Sequence, residues 1–290
     1  MEKLSNSEMQ IMVSAAGAEL CSIMCNGKEY LWQADPAYWN RHSPVLFPIV
    51  GRVWDNTYRC EGGTYSLGQH GFARDMEFSL VSVSDDEVWY RLTDNEDTLR
   101  KYPYNFCLEI GYRIEGKKIH VMWRVANSGD REMYFQIGAH PAFYFPGYDA
   151  TTKERGFFGF DRTEGLEYIL IGEKGCAATD VHYPLNLKDG LLPLDTSTFD
   201  RDALILENGQ VKVVILYDNA RKAVLSLQFD APVVGLWSPP AKNAPFVCIE
   251  PWYGRCDRMN YDGEYKDKDW IQKLQPNGVF NGGYVIEILE

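Results

Sequence analysis

The strongest signal along the chain is an alternation of apolar and polar positions with a period of two. Phe106, Leu108, Ile110, Tyr112 and Ile114 are apolar, and Cys107, Glu109, Gly111 and Arg113 fall between them, so one face points inward and the other outward. Gly116-Lys117-Lys118 then turns the chain. Ile119, Val121, Trp123 and Val125 resume the alternation, and the two runs predict an antiparallel hairpin. His120 lies on the opposite face of that second run and reads as a sheet-face residue rather than a catalyst. Similar runs at 211–217, 223–229 and 284–289 predict further strands, and Asn26-Gly27 predicts a tight hairpin turn with positive backbone angles. The best helical pattern, 267–274, is short and stops before Pro276. Segment 147–199 carries Gly156, Gly159, Gly165, Gly172 and Gly175 and is expected to hold long loops. The predicted fold class is therefore all-β, a large antiparallel β-sandwich rather than alternating β and α units.

Composition narrows the picture. The 290 residues are 45% hydrophobic and 24% charged, enough for a large buried core. No Pro-, Gly- or Ser-rich linker divides them, so a single domain over 1–290 is expected. A formal net charge of -12 disfavours nucleic acid and anionic membrane surfaces, which attract basic proteins, and leaves a small neutral or cationic ligand open. Residues 1–10 lack the apolar core of a signal peptide and no apolar run is long enough to span a bilayer, so a cytoplasmic protein is expected. The cysteines at 21, 25, 60, 107, 176, 248 and 256 are odd in number and sit in strand-like segments, which predicts free thiols. Cys21 and Cys25 have no second ligand pair with metal spacing, so no metal is expected.

Five stretches carry residues that strands do not need. In 136–145, His140 precedes Pro141 and is surrounded by apolar residues; proline biases it toward an extended conformation at a strand end. A satisfied core histidine and a proton carrier beside a flat ligand both fit it. In 43–52, two prolines bracket an apolar run that ends on Gly51-Arg52, where Arg52 reads either as a clamp for an oxygen-rich ligand or as a surface ion pair. In 69–75, Gln69, His70, Arg74 and Asp75 concentrate polar chemistry around Gly71. Asp200 and Asp202 precede an apolar strand. In 247–254, an apolar strand is expected to end on Glu250 before Pro251-Trp252, an aromatic setting that raises a carboxylate pKa and suits a general base.

Together these stretches, with Gly235-Leu-Trp237-Ser-Pro-Pro240, resemble the aldose 1-epimerase (galactose mutarotase) superfamily and, within it, the LacX-like group, in the family's order and over essentially the whole chain. The resemblance implies a β-sandwich of the galactose mutarotase type with a sugar site on one large sheet. It implies His140 as the acid that protonates the ring oxygen, Glu250 as the base that takes the anomeric hydroxyl proton, His70 as support for charge on the ring oxygen, and an aspartate near Asp202 that holds sugar hydroxyls. Arg52, Gln69, Arg74 and Trp237 are the remaining expected sugar contacts, and Trp252 offers another flat apolar face. No metal or cofactor is implied; the partner is a small-molecule sugar, and both monomer and homodimer fit.

The chain departs from other members in three places. Gly51-Arg52 is followed by Val-Trp-Asp-Asn56 without a second arginine, Phe72 stands where a second glycine follows His-Gly, and both Asp200 and Asp202 fit the family aspartate. A hexose 6-phosphate 1-epimerase, using Arg74 and Arg41, and a non-catalytic sugar-binding protein are the alternatives.

Overall fold

The computed structural model describes all residues, 1–290. Two large sheets face one another. The first has nine strands in the order Leu191–Asp195, Glu154–Phe160, Val213–Tyr217, Ala223–Phe229, Val279–Ile288, Lys118–Asn127, Phe106–Glu115, Glu87–Thr93 and Ser79–Val83. The second has eight: Ala177–Pro184, Glu167–Ile171, Leu204–Leu206, Val233–Trp237, Phe246–Tyr253, Ile137–Ala139 and Val45–Leu46 lie side by side, and Ala142–Tyr144 also pairs with Phe246–Tyr253. All pairings inside both sheets are antiparallel. A four-stranded sheet, from Glu2–Ser5 to Lys28–Glu29, and two hairpin-sized pairs complete the fold.

The predicted hairpin is present, with Phe106 opposite Asn127 and Glu115 opposite Lys118. Its inward residues join a single apolar cluster of 66 buried residues that runs from Leu4 to Ile288. The eight-stranded sheet contributes its inner face to that cluster through Leu204, Leu206, Val234, Leu236, Val247 and Ile249. Its outer face is buried as well: Ile205, Val233 and Trp252 belong to one smaller cluster, and Phe246 and Cys248 to another. A sheet covered on both sides loses the apolar–polar alternation that marks a half-exposed one.

Three expectations are corrected. Segment 147–199 is not loop: it forms the strands Glu154–Phe160, Glu167–Ile171, Ala177–Pro184 and Leu191–Asp195. Its glycines serve close approach, since a Cβ on Gly156 would lie 2.1 Å from the Tyr217 carbonyl oxygen of the neighbouring strand. Segment 267–274 is not a helix; a short 3-10 turn, Tyr265–Asp267, leads to the strand Gln272–Leu274, which pairs with Met133–Phe135. Tertiary pairing overrides the weak local pattern there. Third, Glu250 does not end its strand, which continues through Pro251 to Tyr253. The Ile249 N–H donates to the Pro141 carbonyl, so by the parity of the ladder Pro251 turns its donorless nitrogen toward Ala139, whose carbonyl accepts from the Trp252 indole N–H instead.

The one α-helix, Glu96–Lys101, is six residues long and is capped by Asn95, whose side chain accepts from the Thr98 N–H while the Thr98 hydroxyl accepts from the Asn95 N–H. All seven cysteines are free, and six of them are buried. No helix is long and apolar enough to cross a membrane.

Candidate active site

On the outer face of the eight-stranded sheet the strand Phe246–Tyr253 presents Cys248, Glu250 and Trp252 at alternate positions, one side of a pleat. The neighbouring strand Val233–Trp237 places Gly235 opposite Glu250, and a Cβ on Gly235 would lie 2.4 Å from the Trp252 indole. The bare glycine therefore lets the indole lie flat as a floor, anchored by its N–H to the Ala139 carbonyl. His140 sits just past the strand Ile137–Ala139, as its proline neighbour predicted, with its N–H donating to the Pro44 carbonyl. Gln136 is structural: its amide ties the Val50 N–H to the Asp269 carbonyl.

A cavity of about 700 Å³ opens above this floor. Arg52, Gln69, His70, Arg74, His140, Asp202, Trp237 and Glu250, the eight side chains expected to act on or hold the sugar, line it, as does Trp252. Asp202 lines it and Asp200 does not. Arg41 is also absent from the lining and is ion-paired with Asp75 at 2.7 Å. The sequence reading missed Trp39, Asn56 and Lys174. Trp39 lies over the His140 ring at 4.7 Å between centroids, tilted by 30°, and Lys174 pairs with Asp55 at 2.5 Å, both lining the cavity. Neither carries a periodicity or motif signal; each belongs to an irregular segment brought in by the sheets.

His140 and Glu250 are both buried, and His140 Nε2 lies 3.2 Å from Glu250 Oε2. The approach lacks hydrogen-bond angles, so Glu250 Oε2 has no partner, and neither has His140 Nδ1. Burial, reinforced by the Asp202 carboxylate, holds the Glu250 carboxyl well above the usual carboxylate range. Burial, reinforced by the Arg74 guanidinium, pulls the His140 imidazole down to about 3. Both shifts favour the neutral form of the pair, with the shared proton toward Glu250 rather than His140. Moving it to His140 creates the imidazolium–carboxylate form without changing the proton count.

His70 has a fixed tautomer. The Gly51 N–H donates to its Nδ1 at 3.1 Å, so in the neutral ring the hydrogen is on Nε2. Burial, followed by His140 and Arg74, keeps the ring well below its usual pKa and hence neutral. It stands edge-on to His140 at 5.6 Å. Arg52 is held by the Asn56 and Gln69 side-chain oxygens at 3.0 and 3.3 Å. Arg74 donates to the Gln69 carbonyl, while its Nε makes no hydrogen bond and lies 3.7 Å from the Asp75 carboxylate; burial and the Arg41 charge lower its pKa to about 10. An under-partnered guanidinium beside a cavity is a donor held ready for ligand oxygens.

An all-antiparallel double sheet with this cavity on the outer face of one layer is a galactose mutarotase-like fold. It superposes with a TM-score of 0.93 on a galactose mutarotase related enzyme from Lactobacillus acidophilus, 32% identical, covering 100% of this chain and 97% of the other. A galactose mutarotase-like protein from Lactobacillus casei gives 0.94 at 29% identity with 100% of both chains covered. Protein LacX, chromosomal, of Lactococcus lactis subsp. lactis is 32% identical over 296 residues, 99% of each chain. Residues 3–286 match the family described as aldose 1-epimerase, and the chain belongs to that family.

Proposed function

We propose that the protein interconverts the α and β anomers of an aldose, with His140 and Glu250 as the proton-carrying pair. The observation that carries this reading is the 3.2 Å approach of two buried groups of opposite proton demand, each with an unpartnered atom, beside a cavity large enough for a sugar. His140 gives its proton to the ring oxygen while Glu250 removes the proton from the anomeric hydroxyl. The bond between the anomeric carbon and the ring oxygen breaks, and a carbonyl forms. Rotation exposes the other carbonyl face, and the same two transfers in reverse close the ring. His70 donates its Nε2 hydrogen toward charge on the ring oxygen, Arg52, Gln69, Arg74 and Asp202 take sugar hydroxyls, and Trp39, Trp237 and Trp252 offer apolar faces to the C–H edges.

A non-catalytic binder has no use for a buried acid–base pair, because burying both groups costs stability without strengthening sugar binding. A second reading, an aldose 6-phosphate as substrate, is favoured by one observation: Arg52, Arg74 and Lys174 all line the cavity. The deciding experiment is anomer exchange, followed by polarimetry or NMR, over a panel of free aldoses and their 6-phosphates. A preference for free hexoses over their 6-phosphates that persists in Arg74→Ala, even where the rate falls, supports the first reading; a preference for the 6-phosphates that Arg74→Ala abolishes selects the second. No acceleration over water with any aldose removes both.

A further inference from the structure

A buried thiol next to the site has no role in the acid–base reading. Cys248 does not line the cavity but is fully buried on the same face of its strand as Glu250, two residues away. We propose that His140, Cys248 and Glu250 form a binding site for a thiophilic divalent cation of the zinc class, which silences the proton pair when it is occupied. The three residues each offer one ligand atom, and those atoms lie within 4.8 Å of one another. A tetrahedral ion with ligand bonds of about 2.0–2.3 Å separates its ligands by roughly 3.3–3.7 Å, so small side-chain shifts close the set. The 3.2 Å between His140 and Glu250 already matches one such edge.

A second observation points the same way. Glu250 Oε2, which faces His140 Nε2, is a buried carboxylate oxygen with no hydrogen-bond partner, so its polar demand is not met by the protein itself. One nitrogen, one sulfur and one oxygen suit zinc and disfavour magnesium or calcium, which take oxygen ligands. The cavity side leaves a fourth position open. Coordination takes the imidazole lone pair and the carboxylate oxygen that ring opening needs, so metal and sugar turnover exclude each other. Glu19, Cys21 and His42 form a second trio of the same compactness, in which His42 Nδ1 is likewise unpartnered, but there Glu19 Oε1 accepts from the His42 and Ser43 N–H groups and the Cys21 thiol is turned to the Glu19 carbonyl. That trio serves as the internal control.

The probe is cobalt(II), whose bond to a thiolate gives a near-ultraviolet charge-transfer band, followed by displacement with zinc. The whole protein is expected to bind one equivalent with that band, to lose it on adding zinc, and to lose aldose turnover in parallel, with recovery on chelation. Cys248→Ser and Cys248→Ala should abolish the band and keep turnover without metal. Zinc inhibition should weaken by at least about 10- to 100-fold, the cost already known for losing an outer-shell partner. Cys21→Ser should behave as the unaltered protein. No thiolate band, or a band that survives both Cys248 substitutions or disappears with Cys21→Ser, overturns the proposal; if one Cys248 variant fails to fold, the other and the spectrum of the unaltered protein still decide it. The inhibitory half rests on the proposed acid–base reading, whereas the spectrum tests binding even if no aldose is turned over.

Discussion

The two large sheets are built alike and differ in what covers their outer faces. In the nine-stranded sheet, the strand Lys118–Asn127 buries Ile119, Val121, Trp123 and Val125 against the core and turns Lys118 and Arg124 to solvent. In the eight-stranded sheet, seven of the eight residues of Phe246–Tyr253 are buried, because the core lies on one side and the site on the other. Water on one face writes a period-two pattern into the sequence, and a buried site erases it. The residues proposed to carry protons therefore lie where periodicity is silent, and they stand out as polar exceptions inside apolar runs: Glu250 in Val-Cys-Ile-Glu-Pro-Trp, His140 in Gly-Ala-His-Pro-Ala.

The largest expected effect separates the sheets by function. Glu250→Gln keeps the shape and removes the base, and His140→Asn removes the acid; each should lower turnover by about 10²- to 10⁴-fold while sugar binding weakens much less. The double variant should be little worse than the poorer single one, since the pair acts as a unit. Thermal stability tells a catalytic carboxyl from a structural one. Glu250→Gln leaves no buried ionisable group at that position, so the variant should melt no lower than the unaltered protein. A large fall in melting temperature with turnover retained would restore a purely structural role.

The pH profile comes next in size. In the proposed mechanism turnover needs one proton shared by His140 and Glu250. At the acid end a second proton must go onto His140, which burial has moved to about 3; at the alkaline end the proton must leave Glu250, which burial holds above the usual carboxylate range. The kcat/KM profile should be a broad plateau whose acid limb falls well below the ordinary histidine value of about 6.5. An acid limb at that ordinary value would show that His140 is not buried neutral during catalysis.

How much was legible follows from the same comparison. The hairpin 106–127 and the strands near 213–229 were read from alternation, because one of their faces meets solvent. Seven of the cavity residues stood out as polar exceptions in or beside apolar runs; the resemblance added Trp237 and gave each of them its expected role. The strands between 154 and 195 were missed because glycines needed for close approach, as at Gly156 beside the Tyr217 carbonyl, look locally like turn residues. Trp39 and Lys174 were missed because their place in the cavity depends on loops from distant parts of the chain. Asp202 was distinguishable from Asp200 only when the cavity showed which of the two faces it.

A pair of glycines tests whether the covered face is the demanding one. A Cβ on Gly235 would meet the Trp252 indole at 2.4 Å, and one on Gly111 would meet the Trp89 indole at 2.5 Å. Trp252 is buried and forms the floor of the site; Trp89 is half-buried on the solvent face. Gly235→Ala should cost about 1–3 kcal/mol from overpacking and lower turnover as the floor tilts. Gly111→Ala should cost less, because Trp89 can move toward water, and should leave turnover unchanged. Equal losses of stability, or an activity defect in Gly111→Ala alone, would break the contrast drawn between the sheets; denaturant melts and exchange assays on both variants measure it.

The smallest expected effect lies on the solvent face of the nine-stranded sheet. Glu109 accepts from Arg91 at 2.7 and 2.9 Å and from Arg124 at 2.8 Å. Burial pushes its carboxyl up, but those two guanidinium partners outweigh burial and hold it below the usual range. A depressed native pKa stabilises the fold above the unfolded carboxylate value and loses that contribution as pH falls through the native one. Both arginines are about half exposed, so water and salt screen the attraction. Glu109→Gln should therefore lower stability at neutral pH by less than about 1 kcal/mol, with the deficit shrinking as the pH falls below the unfolded carboxylate range, and it should leave anomer exchange untouched. Chemical denaturation at neutral and acid pH reads the first outcome and the exchange assay the second. A deficit that persists unchanged in acid would mean that packing, not charge, holds Glu109 in place, and any loss of turnover would mean that the two faces of the sandwich are coupled.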